Sequence, residues 1–123
     1  MKILYLDADP LNRTVGEITL GLEGHTTNLF SSKKQLTPGI ENNYDILILD
    51  TDAFMTPERT KTTIGNYLQT LSEYTGEIHL VTTFTQRSLE TNLGDLMGRV
   101  NVHYKPFDFV DMARNFKINP KIL

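Results

Sequence analysis

The chain has 123 residues, a formal net charge of −3, 39% hydrophobic and 22% charged residues, and no cysteine. These values fit one folded domain with a real core and exclude disulfides, thiolate metal sites and cysteine nucleophiles. No run approaches the ~18 apolar residues of a membrane helix, the apolar start before Asp7 is too brief for a signal peptide, and the acidic balance speaks against direct nucleic-acid binding. A cysteine-free chain also suits a reducing cytoplasm.

Residues 2–6 predict a first buried strand closed by Asp7. Asp9-Pro10 is a helix-start signal, an N-cap acid with proline at the first helical position. The helix that follows places Leu11, Val15, Ile18 and Leu22 on one face, predicted to be buried, with Gly21 and Gly24 at its end. Residues 25–31 predict a poorly patterned strand near a sheet edge. Residues 33–43, interrupted by Pro38-Gly39, predict a short helix or irregular loop.

The strongest stretch follows. Tyr44-Asp45-Ile46-Leu47-Ile48-Leu49-Asp50 sets four apolar residues between two aspartates, the pattern of a strand buried on both faces. Thr56-Pro57-Glu58-Arg59 predicts the next helix start, with Ile64, Leu68 and Leu71 buried, Tyr67 beside them and Gly76 stopping the helix. Residues 77–82 predict a fourth strand. Residues 88–97 repeat helical spacing at Leu89, Leu93, Leu96 and Met97, ending at Gly98. Residues 100–104 predict a fifth strand, broken by Lys105-Pro106-Phe107. A last helix over 108–116 turns Val110, Ala113 and Phe116 inward, and Pro120 ends regular structure. This alternation of strand and helix predicts a single α/β domain over 1–123 with a parallel sheet covered on both faces.

In such sheets ligands bind outside the carboxyl ends of the strands. Those ends bring Asp7, Asp50, Thr82-Thr83 and Lys105-Pro106 to one rim. A carboxylate can attack phosphorus, a hydroxyl can hydrogen-bond a phosphoryl oxygen, and an ammonium can pair with it. The rim therefore has the groups of a phosphoryl site. Against it stand plainer readings: Asp50 as a strand end, threonine as a strand former, Lys105 as a solvated lysine. His25, His79 and His103 read as structural, Tyr5, Phe107 and Phe109 as core, and Lys33-Lys34 as a solvated pair.

Four pieces, 3–13, 44–50, 80–83 and 105–108, resemble in order and spacing the receiver domain of two-component response regulators over nearly the whole chain. The resemblance implies a flavodoxin-like (βα)5 fold with strand order 2-1-3-4-5. It implies Asp50 as phosphoacceptor, Thr82 as switch hydroxyl, Lys105 as the phosphoryl-contacting lysine, and a cis Lys105-Pro106 bond. It also implies Mg²⁺ near Asp7 and Asp50, with the backbone carbonyl of Asp52 as a further ligand. Implied partners are a histidine kinase or phosphotransfer protein, and a downstream protein bound through the last two helices and the strand between them; a homodimer is also compatible. The chain would then signal in the cytoplasm by population shift and not as an enzyme.

The chain departs from that pattern. Ala8 stands where receivers carry a second acid, so weakened Mg²⁺ binding is expected, and Asp52 is the acid placed to compensate. Val102 stands at the usual place of the switch aromatic, with Tyr104 two residues on, and Pro57 comes later than the usual loop proline. Such a site would work either by phosphorylation or as a pseudo-receiver set by partner binding. A different reading takes Asp7-Ala8-Asp9 as the start of a small haloacid dehalogenase-type phosphatase, with Asp7 as nucleophile and Asp9 as acid–base. That reading leaves Asp50 without a role.

Overall fold

A computed structural model describes residues 1–59 and 61–117. Five strands, β1 (Lys2–Leu6), β2 (Thr26–Phe30), β3 (Ile46–Asp50), β4 (Glu77–Thr82) and β5 (Asn101–Tyr104), form one parallel sheet in the order β2-β1-β3-β4-β5. The uninterrupted apolar runs of β1 and β3 occupy its centre, and every residue of β3 is buried. β2, whose pattern is weak, lies at an edge with its residues exposed or half-buried. Alternation of side chains along the strands divides the core in two. Leu4, Leu6, Leu47 and Leu49 face α2 (Ile64–Gln69) and α3 (Gln86–Leu93). Ile3, Tyr5, Ile46 and Ile48 face α1 (Pro10–Leu22) and α4 (Phe109–Arg114).

The helix α1 starts as predicted: Asp9 accepts a 2.9 Å hydrogen bond from the Leu11 N–H, and Pro10 opens the first turn. Its orientation is the reverse of the expectation. Leu11, Val15, Ile18 and Leu22 are 69, 45, 58 and 85% exposed, while Gly16 and Leu20 face the sheet. The cause is the Tyr5 ring. A Cβ at Gly16 would lie 2.5 Å from Tyr5 Cε2 and 3.0 Å from Phe109 Cζ. Only the glycine face of the helix can approach these two rings, which themselves meet edge to face.

Between β2 and β3 the chain makes two short 3-10 turns, Lys33–Gln35 and Ile40–Asn43, on either side of Pro38-Gly39, in keeping with the short or irregular segment expected there. Other boundaries differ. Thr56-Pro57 does not start α2. Pro57 sits second in a turn closed by the Arg59 N–H on the Thr56 carbonyl, and Met55 then pairs antiparallel with Thr62. Proline serves a turn at that position as well as it serves a helix start, and Arg59 takes a left-handed φ of 58°. α2 runs only from Ile64 to Gln69, ending well before Gly76, but Ile64, Leu68 and Leu71 are buried as expected. α3 ends at Gly94, φ 54°, ahead of a 3-10 turn over Gly94–Arg99. In α4, which Asp108 caps, Phe109 and Met112 are the buried residues, while the predicted Val110, Ala113 and Phe116 are half-buried. Pro120 lies outside the described residues.

Candidate functional site

The rim expected from the strand ends is assembled. Asp7 follows β1 and Asp50 ends β3, neighbouring strands at the centre of the sheet, and both carboxylates are buried. Asp50 Oδ1 accepts from the Asp52 N–H at 3.0 Å, and Oδ2 accepts from Lys105 Nζ at 2.9 Å. The lysine arrives from the turn after β5, held by its own N–H on the Thr82 carbonyl at 2.8 Å, and the Lys105-Pro106 bond is cis. Burial raises the Asp50 carboxyl to about 7 and the neighbouring Asp7 adds to the rise, while Lys105 and the Asp52 N–H pull it down. For Lys105 burial works against the charge, but the hydrogen bond and charge of Asp50, with Asp7 and Asp52, outweigh it and raise the ammonium. The lysine therefore stays protonated beside a carboxyl that titrates near neutrality.

Asp7 is fixed by a group that sequence reasoning assigned only to the core. Tyr5 OH donates to Asp7 Oδ2 at 2.7 Å, and the Asp9 N–H donates to Oδ1 at 2.8 Å. Burial, with the Asp7 hydrogen bond, pushes the Tyr5 phenol well above its ordinary value, so it remains a donor. The Asp7 carbonyl accepts from Arg13 Nη1 at 2.6 Å. Thr82 is fully buried; its hydroxyl accepts from Thr51 Oγ1 at 2.8 Å and from the Phe84 N–H at 2.9 Å. Thr83, in contrast, is exposed. Asp52 is at the mouth, its carboxylate 3.9 Å from both Lys105 Nζ and Arg59 Nη2.

Arg59, Thr51 and Asn12 were not singled out from the sequence. Arg59 and Asn12 line the cleft of about 270 Å³ with Asp7, Asp50, Asp52 and Lys105. Only the folded loop brings Arg59 there, so local pattern carried no signal for it. A larger cleft of about 450 Å³, between residues 36–42 and Tyr67, Leu71 and Tyr74, contains none of the rim residues.

Each carboxylate oxygen of Asp7 and Asp50 accepts one hydrogen bond and keeps a second lone pair, so these two acids are the residues that would hold a hard cation here. The Asp52 carbonyl, the implied third ligand, accepts from the Met55 N–H at 3.3 Å. Ala8 supplies no oxygen from its side chain, and among the described residues no group of three or more His, Asp or Glu is placed to hold a metal ion. The positive charge in this cleft comes from Lys105 and Arg59.

The remaining sequence-level candidates have other partners. Asp9, the acid–base of the phosphatase reading, is occupied as the cap of α1. His79 Nδ1 and His103 Nε2 are 2.8 Å apart, stacked against each other, with Glu77 on the far nitrogen of His79. His25 Nδ1 meets the amino terminus at 3.0 Å. None of the three histidines lines the cleft.

No family model and no curated protein sequence matches this chain. Its fold does match solved structures of response regulator receiver domains. A two-component response regulator from Clostridium difficile aligns at TM-score 0.72 and 18% identity, over 93% of this chain and 90% of the other. The BeF3-activated N-terminal receiver domain of Klebsiella pneumoniae RstA aligns at 0.68 and 23%, over 93% and 94%. A CheY-like receiver domain protein from Methanospirillum hungatei JF-1 aligns at 0.70 and 14%, over 92% and 87%. The flavodoxin-like architecture of receiver domains is therefore the architecture of this chain.

Proposed function

We propose that the chain is a signalling receiver in which Asp50 accepts a phosphoryl group from a histidine kinase, a phosphotransfer protein or a small phosphodonor. The observation that carries this reading is the 2.9 Å contact of Lys105 Nζ with Asp50 Oδ2 across 55 positions of sequence, in the crevice where such sheets bind ligands. A carboxylate oxygen of Asp50 attacks phosphorus, the bond to the donor's leaving group breaks with its electron pair, and an acyl phosphate forms. Lys105 then moves from the carboxylate to a phosphoryl oxygen, with Arg59 at the cleft mouth as second cation.

The readout is a population shift. The Thr82 hydroxyl is tied to Thr51 and Phe84 in the unmodified state. Turning toward a phosphoryl oxygen would break two hydrogen bonds worth about 1 kcal/mol each, a barrier that a charged acceptor can offset. Thr82 pairs with Tyr104 of β5, so the change reaches the α3–β5–α4 surface, where a downstream protein would bind.

One observation favours a second reading. Ala8 supplies no second adjacent carboxylate, and two cationic side chains, Lys105 and Arg59, line the cleft. A pseudo-receiver, switched by partner binding alone, would have this arrangement. Intact mass after incubation with acetyl phosphate, with and without Mg²⁺ and beside Asp50→Asn, separates the two. A single phosphoryl adduct in the parent and none in the variant supports phosphorylation. No adduct under either condition, with a control receiver labelled in parallel, selects the pseudo-receiver.

A further inference from the structure

Away from the rim, the cleft of about 450 Å³ between residues 36–42 and 67–74 has the size of a small-molecule site. Its walls are fixed. On one side Gly39, at a left-handed φ of 82°, leads into the 3-10 turn Ile40–Asn43. On the other, the Tyr67 ring lies 5.0 Å from the Phe54 ring, and buried Tyr74 donates its hydroxyl to the Tyr44 carbonyl at 3.0 Å. Leu36 and Leu71 add aliphatic surface to this lining.

One charge is set into it. Glu41 is only 7% exposed, and its Oε1 accepts from the Tyr67 hydroxyl at 2.6 Å. Among the described residues Oε2 accepts from no donor, and no Lys, Arg or His pairs with the carboxylate. Burial and the Glu41 carboxylate raise the Tyr67 phenol well above its ordinary value, so it stays a neutral donor. A carboxylate withdrawn from water is costly unless a charge pairs with it, and one phenol offsets little of that cost. The cleft itself supplies no such charge: no Lys, Arg or His lines it, and exposed Glu73 adds a second acid at its lip. Arg99 is engaged with the Leu71 and Tyr74 carbonyls and does not line the cleft.

We propose that this cleft binds a small primary ammonium with an apolar body, of the arylalkylamine class, whose nitrogen donates to Glu41 Oε2 while the body packs on Tyr67, Tyr74 and Leu36. An ammonium brings the missing positive charge and three donors. An anion would meet Glu41 and Glu73, and a neutral ligand would leave the buried carboxylate unpaired. The proposal does not depend on the reading of Asp50.

Amide-detected NMR of the full chain with phenethylamine tests it. Saturable shifts are expected in residues 37–42 and 67–74, with a Kd on the order of 1 mM. Phenethyl alcohol, the neutral analogue of the same shape, should bind at least about tenfold more weakly. The same loss is expected for the amine with Glu41→Gln, which keeps an acceptor for Tyr67. Butylamine, with the charge and reach of a lysine side chain, should bind at least about threefold more weakly. Ser72→Arg, at an exposed position of the lip, brings a guanidinium to the cleft and should also abolish binding; it decides the matter if Glu41→Gln fails to fold. The proposal is overturned by shifts confined to the rim around Asp50, or by no saturable shift below about 20 mM amine. Undiminished binding to Glu41→Gln or Ser72→Arg, or alcohol binding as tight as the amine, would overturn it equally. Butylamine binding as tight as phenethylamine would overturn it in favour of a lysine from a partner protein.

Discussion

Tyr5 joins the two halves of this molecule: its hydroxyl donates to Asp7 Oδ2 at 2.7 Å while its ring lies under Gly16 of α1. One side chain thus fixes both the orientation of a helix and the carboxylate beside Asp50. Tyr5→Phe should keep the ring packing and leave one oxygen of a buried carboxylate without its donor. A loss of about 1–3 kcal/mol is expected in urea unfolding at pH 8. An unchanged midpoint would mean that water replaces the phenol.

Gly16 tests the other half. Gly16→Ala gains up to about 1 kcal/mol of helix propensity, but its Cβ must displace the Tyr5 and Phe109 rings. Overpacking of that kind costs about 1–3 kcal/mol, so a net loss is expected, and Gly16→Val should lose more. Gly21 has no atom within 4 Å of its would-be Cβ. Gly21→Ala should therefore stabilise the helix by about 0.5 kcal/mol. Denaturant midpoints at constant slope check both signs.

These residues also explain what the sequence could and could not say. β1 and β3 were legible because strands buried on both faces are unbroken apolar runs, and β4 because Ile78, Leu80 and Val81 stand out around His79; the ends of the three located Asp7, Asp50 and Thr82. The face of α1 was not legible. Periodicity assumes that the apolar side is the buried side, whereas contact with the sheet is made by Leu20 and by Gly16, and one leucine with a glycine is a weaker stripe than the four aliphatic residues on the solvent side. Thr56-Pro57 has the composition of a helix start and forms a turn instead, because Met55 pairs with Thr62. That same loop carries Arg59 to the cleft, a placement that depends on tertiary closure and leaves no local pattern.

The pH dependence of stability has two opposed limbs. Asp50 rises from an ordinary 3.8 to about 7 in the fold. The native state then binds more protons than the unfolded state between these values, so stability falls as pH rises from about 4 to about 7. Above pH 7 the cost is fully present, of the order of a few kcal/mol. Without added metal, Asp50→Asn should raise the urea midpoint at pH 8 and have little effect near pH 4. A variant destabilised at pH 8 would contradict the assignment of burial as the dominant cause.

The acid limb comes from the histidine pair. Burial lowers His103 from 6.5 to about 4, with His79 adding to the shift and Asp111 opposing it, and burial also lowers His79 against the pull of Glu77. Across the 2.8 Å contact one imidazole donates and the other accepts. A second proton there would set two donors against each other. The unfolded state takes up protons first as pH falls below about 6.5, so this stability is lost as pH falls toward about 4. His103→Gln should flatten the limb between pH 6.5 and 4.5 while leaving the Asp50 limb intact. An unaltered acid limb would show that the pair does not titrate with unfolding.

Lys105 and Asp50 form the pair on which the reading of the cleft rests, and a double-mutant cycle measures it. Lys105→Met removes the ammonium whose charge holds Asp50 down against burial and Asp7. The Asp50 carboxyl should move further up, and stability above pH 7 should drop by about 2–4 kcal/mol, the cost of a buried charge left without its partner. Asp50→Asn in the same background takes that charge away, so the double variant should recover most of the loss. A coupling of at least about 1 kcal/mol is expected at pH 8, vanishing near pH 4 where the carboxyl is neutral. Additive effects at both pH values would mean that Asp52, 3.9 Å from the same ammonium, is its working partner, and the cleft would then be organised around its mouth and not around the strand end.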